Sequence, residues 1–121
     1  MKKLVTVCLL FVTIGLLSGC SKLKVDSQLI VGTWTSYAYY KTMESEPSTY
    51  TKEKYIFLED GTAIWYDSGS IVFQVPYVFD NTKKTLTFKD GKEDLVYEVY
   101  AFENNSLIIN YKEYYIEYRQ R

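Results

Sequence analysis

Histidine is absent from this 121-residue chain, and cysteine occurs only at Cys8 and Cys20. Without an imidazole, Ser-His-Asp triads, Cys–His nucleophiles and the usual zinc sites are excluded. Proline is confined to Pro47 and Pro76. No apolar run is long enough for a permanent membrane helix: the longest, Leu4–Leu17, has 14 residues, against the roughly 18–20 that such a span needs. An excess of positive charge is missing too, since 14 basic residues face 15 acidic ones. A nucleic-acid partner, which requires a basic face, is therefore not expected.

The first residues carry an address. Met1-Lys2-Lys3, the short apolar run and the small residues Ser18 and Gly19 form a secretory signal over residues 1–19. Leu17-Ser18-Gly19-Cys20 resembles the bacterial lipobox, in which cleavage precedes the cysteine and its thiol receives a lipid. Cys8 leaves with the leader, and lipidation of Cys20 accounts for the single remaining thiol. Residues 20–28 then read as the lipidated cysteine and a polar tether. Its eight residues Ser21–Gln28 reach at most about 28 Å. The expected location is the cell envelope, with a lipid anchor in the membrane. Ser21 after the cysteine points to the outer membrane in a two-membrane cell, and otherwise to the outer face of the plasma membrane.

What remains, residues 29–121, is one domain rich in tyrosine: 13 Tyr, 2 Trp and all but one of the 6 Phe follow the leader. Aromatic and β-branched residues favour strands, and turn residues recur every 8–12 positions. Eight strands are expected, at about 33–40, 50–58, 62–66, 71–79, 85–89, 94–102, 106–111 and 114–119, after a short helical turn within Ser27–Val31. Short connections make an antiparallel meander. Closing eight such strands into an all-β up-and-down barrel removes the exposed edges.

Pairing across the turns gives the faces. Around Asn81–Lys84, Phe79 faces Leu86 and Tyr77 faces Phe88, so Phe73, Val75, Tyr77, Phe79, Leu86 and Phe88 point inward. A two-residue turn at Asp60-Gly61 would set Phe57 against Ile64 and Tyr55 against Tyr66. Around Asn104-Asn105, Tyr100, Phe102, Leu107, Ile109 and Tyr111 fall together, with Glu98 among them. Pro76 lacks an N–H, which predicts a bulge or break there.

Trp34 begins the first strand and Arg119 ends the last, and in a closed barrel these strands are neighbours. A cation–π pair between them is expected, with Gly32 permitting a sharp entry into the barrel. Gly32-Thr33-Trp34, the long loop Lys41–Thr49 and the late arginine together resemble the lipocalins of the calycin superfamily, and the small bacterial lipocalin-like lipoproteins in particular. Phe57-Leu58-Glu59-Asp60-Gly61-Thr62 and Tyr77-Val78-Phe79-Asp80 share that look. The resemblance implies structural closure by Gly32, Trp34 and Arg119, with Arg121 as an alternative. It also implies an open mouth at the end opposite Trp34, with Lys41–Thr49 as its lid.

The functional expectation is a binding barrel, not an enzyme: no catalytic residues, cofactor or metal are assigned. Glu98 and Glu117 could serve carboxylate chemistry, but pairing with Arg119 or a rim lysine is the better reading. Asp90–Asp94 lacks the spacing of a calcium loop. Tyr40, Tyr50, Tyr55, Phe57, Tyr66, Phe73 and Tyr77 are the candidates for contact with a small hydrophobic or aromatic ligand, the mouth tyrosines foremost because their hydroxyls need partners. A monomer is expected. The alternative is an inhibitor-like module for protein or glycan, with a side-chain-filled barrel that presents Tyr37, Tyr39, Trp65 or the 41–49 loop.

Overall fold

A computed structural model describes residues 26–121. The leader, Cys20 and most of the tether lie outside the described residues. A 3-10 turn at Asp26–Ile30 precedes β1 (Gly32–Tyr40), β2 (Ser48–Thr49), β3 (Glu53–Phe57), β4 (Thr62–Asp67), β5 (Ser70–Asp80), β6 (Thr85–Asp90), β7 (Glu93–Glu103), β8 (Ser106–Asn110) and β9 (Tyr115–Gln120). The eight expected strands are all present as β1 and β3–β9. They pair antiparallel in chain order, and β9 pairs back onto β1 to close the barrel. The two-residue β2, not anticipated, lies in the first loop and pairs with Ala38 and Tyr39.

Alternation fills the interior. Tyr55, Phe57, Tyr77, Phe79, Leu86, Phe88, Leu107, Ile109, Ile116 and Tyr118 are buried. Rings from strands that are not neighbours touch across the axis. Tyr55 on β3 lies 5.5 Å from Phe88 on β6 and 5.1 Å from Tyr118 on β9. Trp34 on β1 lies 6.2 Å from Phe102 on β7. An eight-stranded barrel holds either packed side chains or one small ligand, and here side chains occupy the middle.

The 3-10 turn caps one end. Ser27 and Ile30 are fully buried. Ser27 Oγ accepts from the Phe79 N–H at 2.9 Å, Asp26 from the Asn81 N–H at 2.8 Å, and the Ile30 carbonyl from Trp34 Nε1 at 2.9 Å. Gly32 takes φ +134°, and a Cβ there would meet Gln120 Nε2 at 2.5 Å. Gln120 in turn donates to the Val31 carbonyl at 3.0 Å. Arg119 does not cover Trp34. It points outward, 3.6 Å over the Tyr37 ring, and is ion-paired with Glu117 at 2.9 Å. Strict alternation in β9 puts Ile116 and Tyr118 inside and leaves Arg119 on the outer wall. Arg121 meets β1 through its backbone N–H, which donates to the Thr33 carbonyl.

Turns and bulges shift several faces. The β5–β6 register is as expected, Tyr77 against Phe88 and Phe79 against Leu86. The Asp60-Gly61 hairpin is one residue longer than a two-residue turn. Leu58 pairs with Thr62, Asp60 accepts from the Thr62 N–H, and Gly61 takes φ +90°. This is the three-residue loop in which the left-handed residue is a glycine. Phe57 therefore faces Ala63 and Tyr55 faces Trp65, which brings Trp65 inward and turns Ile64 and Tyr66 out. A bulge at Tyr100 puts Val99 inside in its place, and Glu98 is on the outside, bonded by Asn110. Pro76 carries no bulge. It pairs with Thr62, and the β5–β6 ladder stops one residue later, at Tyr77. The bulge between β4 and β5 falls instead between Trp65 and Tyr66.

Candidate functional site

The end opposite Trp34 carries mostly partly buried aromatic rings and one buried carboxylate. A bulge at Tyr37, between the pairs Ser36–Tyr118 and Ala38–Glu117, reverses the phase of β1. Tyr39 consequently turns inward, and Tyr40 outward. Above Thr35, β1 no longer pairs with β3. There the Glu53 N–H donates instead to the buried Ser36 Oγ at 2.9 Å. That bond and the alternation Glu53, Tyr55, Phe57 place a carboxylate inside the barrel, 7 % exposed.

Glu53 is the polar centre of this end. Its Oε1 accepts from Trp65 Nε1 at 3.0 Å and from the Tyr118 hydroxyl at 2.8 Å, and its Oε2 accepts from the Tyr50 hydroxyl at 2.7 Å. A chain of hydroxyls continues behind it, Tyr118 to Tyr111 at 2.6 Å and Tyr111 to Tyr55 at 3.0 Å. Burial pushes the Tyr55, Tyr111 and Tyr118 hydroxyls well above the usual tyrosine range, and the Glu53 charge adds to the shift. Tyr50 is raised by burial and by its bond to Glu53. These phenols therefore stay protonated and act as donors.

Half-buried rings surround this centre on the solvent side. Tyr114 stacks on Tyr39 and on Tyr111, each at 5.4 Å, and Tyr97 meets Tyr111 edge-on at 5.1 Å. Tyr50 approaches Tyr39 at 6.5 Å, and Phe73 packs on Trp65 at 5.3 Å. The first loop runs beside β1 through β2, and Tyr50 reaches inward from its end.

The sequence-derived candidates thus fall in four places. Tyr50 and Phe73 are at the mouth. Tyr55 and Phe57 are central packing, and Tyr77 is buried at the capped end, where its hydroxyl lies 3.3 Å from the Ser27 and Leu58 carbonyls. Burial, with Asp60 nearby, pushes Tyr77 up to about 12. Tyr40 and Tyr66 do not face the interior: Tyr40 bonds Glu117 on the outer wall at 3.2 Å, and Tyr66 lies under Lys54 Nζ at 4.4 Å. Tyr39 and Trp65, expected outside, line the mouth. Tyr37 is outside as expected. Glu53, Tyr97, Tyr111, Tyr114 and Tyr118 join this end in addition to the sequence-derived candidates. For Glu53 the signal was its place two and four residues before Tyr55 and Phe57.

Glu117 is the second buried carboxylate, but on the outer wall, bonded by Tyr40, by Ser106 at 2.9 Å and by Arg119. It has the arginine partner expected for it and is not part of the mouth.

Two solved structures share this fold. One is an uncharacterized protein from Bacteroides eggerthii, 14 % identical, with a TM-score of 0.56 over 75 % of this chain and 98 % of that one. The other is a lipocalin-like protein from Bacteroides uniformis, 13 % identical, with a TM-score of 0.56 over 76 % and 98 %. No protein-family model and no curated protein matches the sequence. The barrel is lipocalin-like in fold.

Proposed function

We propose that the protein is a cell-envelope lipoprotein, anchored by lipid on Cys20, whose barrel takes up a small hydrophobic or aromatic molecule at its mouth. The observation that carries this reading is the contrast between the two halves of the interior. Rings meet across the barrel at its centre and the 3-10 turn covers one end, whereas at the other end Tyr39, Tyr50, Phe73, Leu95, Tyr97, Tyr111 and Tyr114 are only partly buried. The lipocalin-like fold supports it as well. The ligand then rests on the partly buried rings at the mouth and does not enter the barrel.

A neutral fluorescent probe, N-phenyl-1-naphthylamine, tests this. Binding should weaken several-fold in Tyr114→Ala and Phe73→Ala and stay unchanged in Tyr40→Ala and Tyr66→Ala on the outer wall. No binding, or equal loss in the outer-wall variants, contradicts the reading. Replacing Cys20 by Ser should release the protein from the membrane fraction and abolish incorporation of labelled palmitate.

One observation favours a second reading, recognition of a protein or glycan by the outside. Tyr37 and Tyr100 are about half exposed, and Tyr100 meets Tyr115 edge-on at 5.4 Å. Exposed tyrosines beside an arginine suit binding surfaces. Tyr37→Ala and Tyr100→Ala would then abolish capture of an envelope partner without affecting the probe.

A further inference from the structure

We infer that the mouth selects an organic ammonium, a positively charged group carried on the small ligand proposed above. The inference rests on that reading and concerns the charge that Glu53 contributes to it.

A buried carboxylate ordinarily has a cationic partner. Among the described residues the ion pairs are Lys89–Asp94 and Arg119–Glu117, and neither involves Glu53. Its three hydrogen bonds all come from neutral groups: an indole and two phenols. A carboxylate has about four acceptor positions, and these bonds use two on Oε1 and one on Oε2. One position on Oε2 is left, on the side of Tyr50. Asp67, directly across the β3–β4 pair from Glu53, adds negative charge at the rim.

The rings of Tyr39, Tyr50, Tyr111 and Tyr114 stand at this end of the barrel, and the π-systems of tyrosines attract cations and not anions. A carboxylate without a cationic partner in an aromatic setting suits an ammonium group. An anionic ligand would face both repulsion and the negative ring faces, and a neutral one would leave the charge uncompensated. The free position on Oε2 places the cation beside Tyr50, at the end of the barrel where Tyr114 also stands. Tyr50 lies between β2 and β3 with its N–H on the Tyr37 carbonyl, so its side chain can turn aside for the ligand while the backbone stays in place.

The protein carries its own reporters. Its two indoles lie at opposite ends, Trp65 bonded to Glu53 and Trp34 bonded to Ile30. In nitrogen–proton spectra of the full chain in a neutral maltoside detergent, choline should move the Trp65 indole signal and leave that of Trp34 in place. Its uncharged carbon isostere, 3,3-dimethylbutan-1-ol, should bind at least about tenfold more weakly. Glu53→Gln should weaken choline by a similar factor, and Tyr114→Leu, which removes a ring face but leaves the carboxylate, several-fold. An unmoved Trp34 signal certifies that either variant is folded.

Equal binding of the alcohol and choline overturns the ammonium assignment while leaving the mouth as a binding site. So does a Trp65 signal that choline does not move while the naphthylamine probe still binds. Failure of the naphthylamine probe as well overturns the proposed function itself.

Discussion

The Tyr118 hydroxyl on β9 donates to the Glu53 carboxylate on β3 at 2.8 Å, across the strand that lies between them. This bond ties the closing seam of the barrel to the mouth, because β1, flanked by β3 and β9, pairs with β3 only as far as Thr35. Removing either partner should therefore loosen the seam as well as the site.

Tyr118→Phe deletes one donor and should lower stability by about 1–2 kcal/mol, whereas Glu53→Leu strands three donors and should lower it by about 2–4 kcal/mol. Urea unfolding of both variants checks the order. A smaller loss for Glu53→Leu than for Tyr118→Phe would mean that water already satisfies the donors.

A filled barrel predicts a large cavity penalty at its centre. Phe88 is fully buried against Tyr55 and Phe73, so Phe88→Ala should cost about 3–5 kcal/mol. A loss below about 1 kcal/mol would indicate an interior that was already open.

The raised tyrosines make the fold sensitive to alkali. Tyr55, Tyr77, Tyr111 and Tyr118 bind their protons more tightly when folded than when unfolded, Tyr77 up to about 12. Their contribution is complete below pH 10, near the unfolded tyrosine value, and is lost as pH rises through the folded values. Tyrosinate absorbance at 295 nm should show these residues ionising only together with loss of the near-ultraviolet dichroism. Ionisation of all 13 tyrosines before any unfolding would contradict this.

Gly32 tests the capped end. Its φ of +134° strains any other residue, while the contact a Cβ would make is with the flexible end of Gln120. Gly32→Ala should thus cost about 1–3 kcal/mol, and nearly the same in a Gln120→Ala background. If the second substitution rescues the first, the steric contact and not the backbone sets the cost.

The strand order was legible because turn residues punctuate nearly every connection, and the β5–β6 register because Asn81–Lys84 is a plain four-residue loop between alternating strands. Where faces depart from the sequence pattern, one extra residue is responsible. Gly61 lengthens its hairpin by one, exchanging Tyr66 for Trp65, and bulges at Tyr37 and Tyr100 exchange Tyr40 for Tyr39 and Tyr100 for Val99. A single insertion reverses every later side chain in a strand, and hydrophobic pattern resists this poorly where both faces are aromatic. Glu53 was hidden for a different reason. Its burial depends on partners at positions 50, 65 and 118, which only the closed barrel brings together.

On the function proposed here, the ligand rests at the mouth and not in the barrel interior. The most direct measurement is a crystal structure of the protein with N-phenyl-1-naphthylamine bound. The probe should lie against Tyr39, Tyr114 and Trp65, with the Tyr55–Phe88 contact of 5.5 Å unchanged. A probe seated between Tyr55 and Phe88 with those rings forced apart, or one resting on Tyr37 outside, would contradict it.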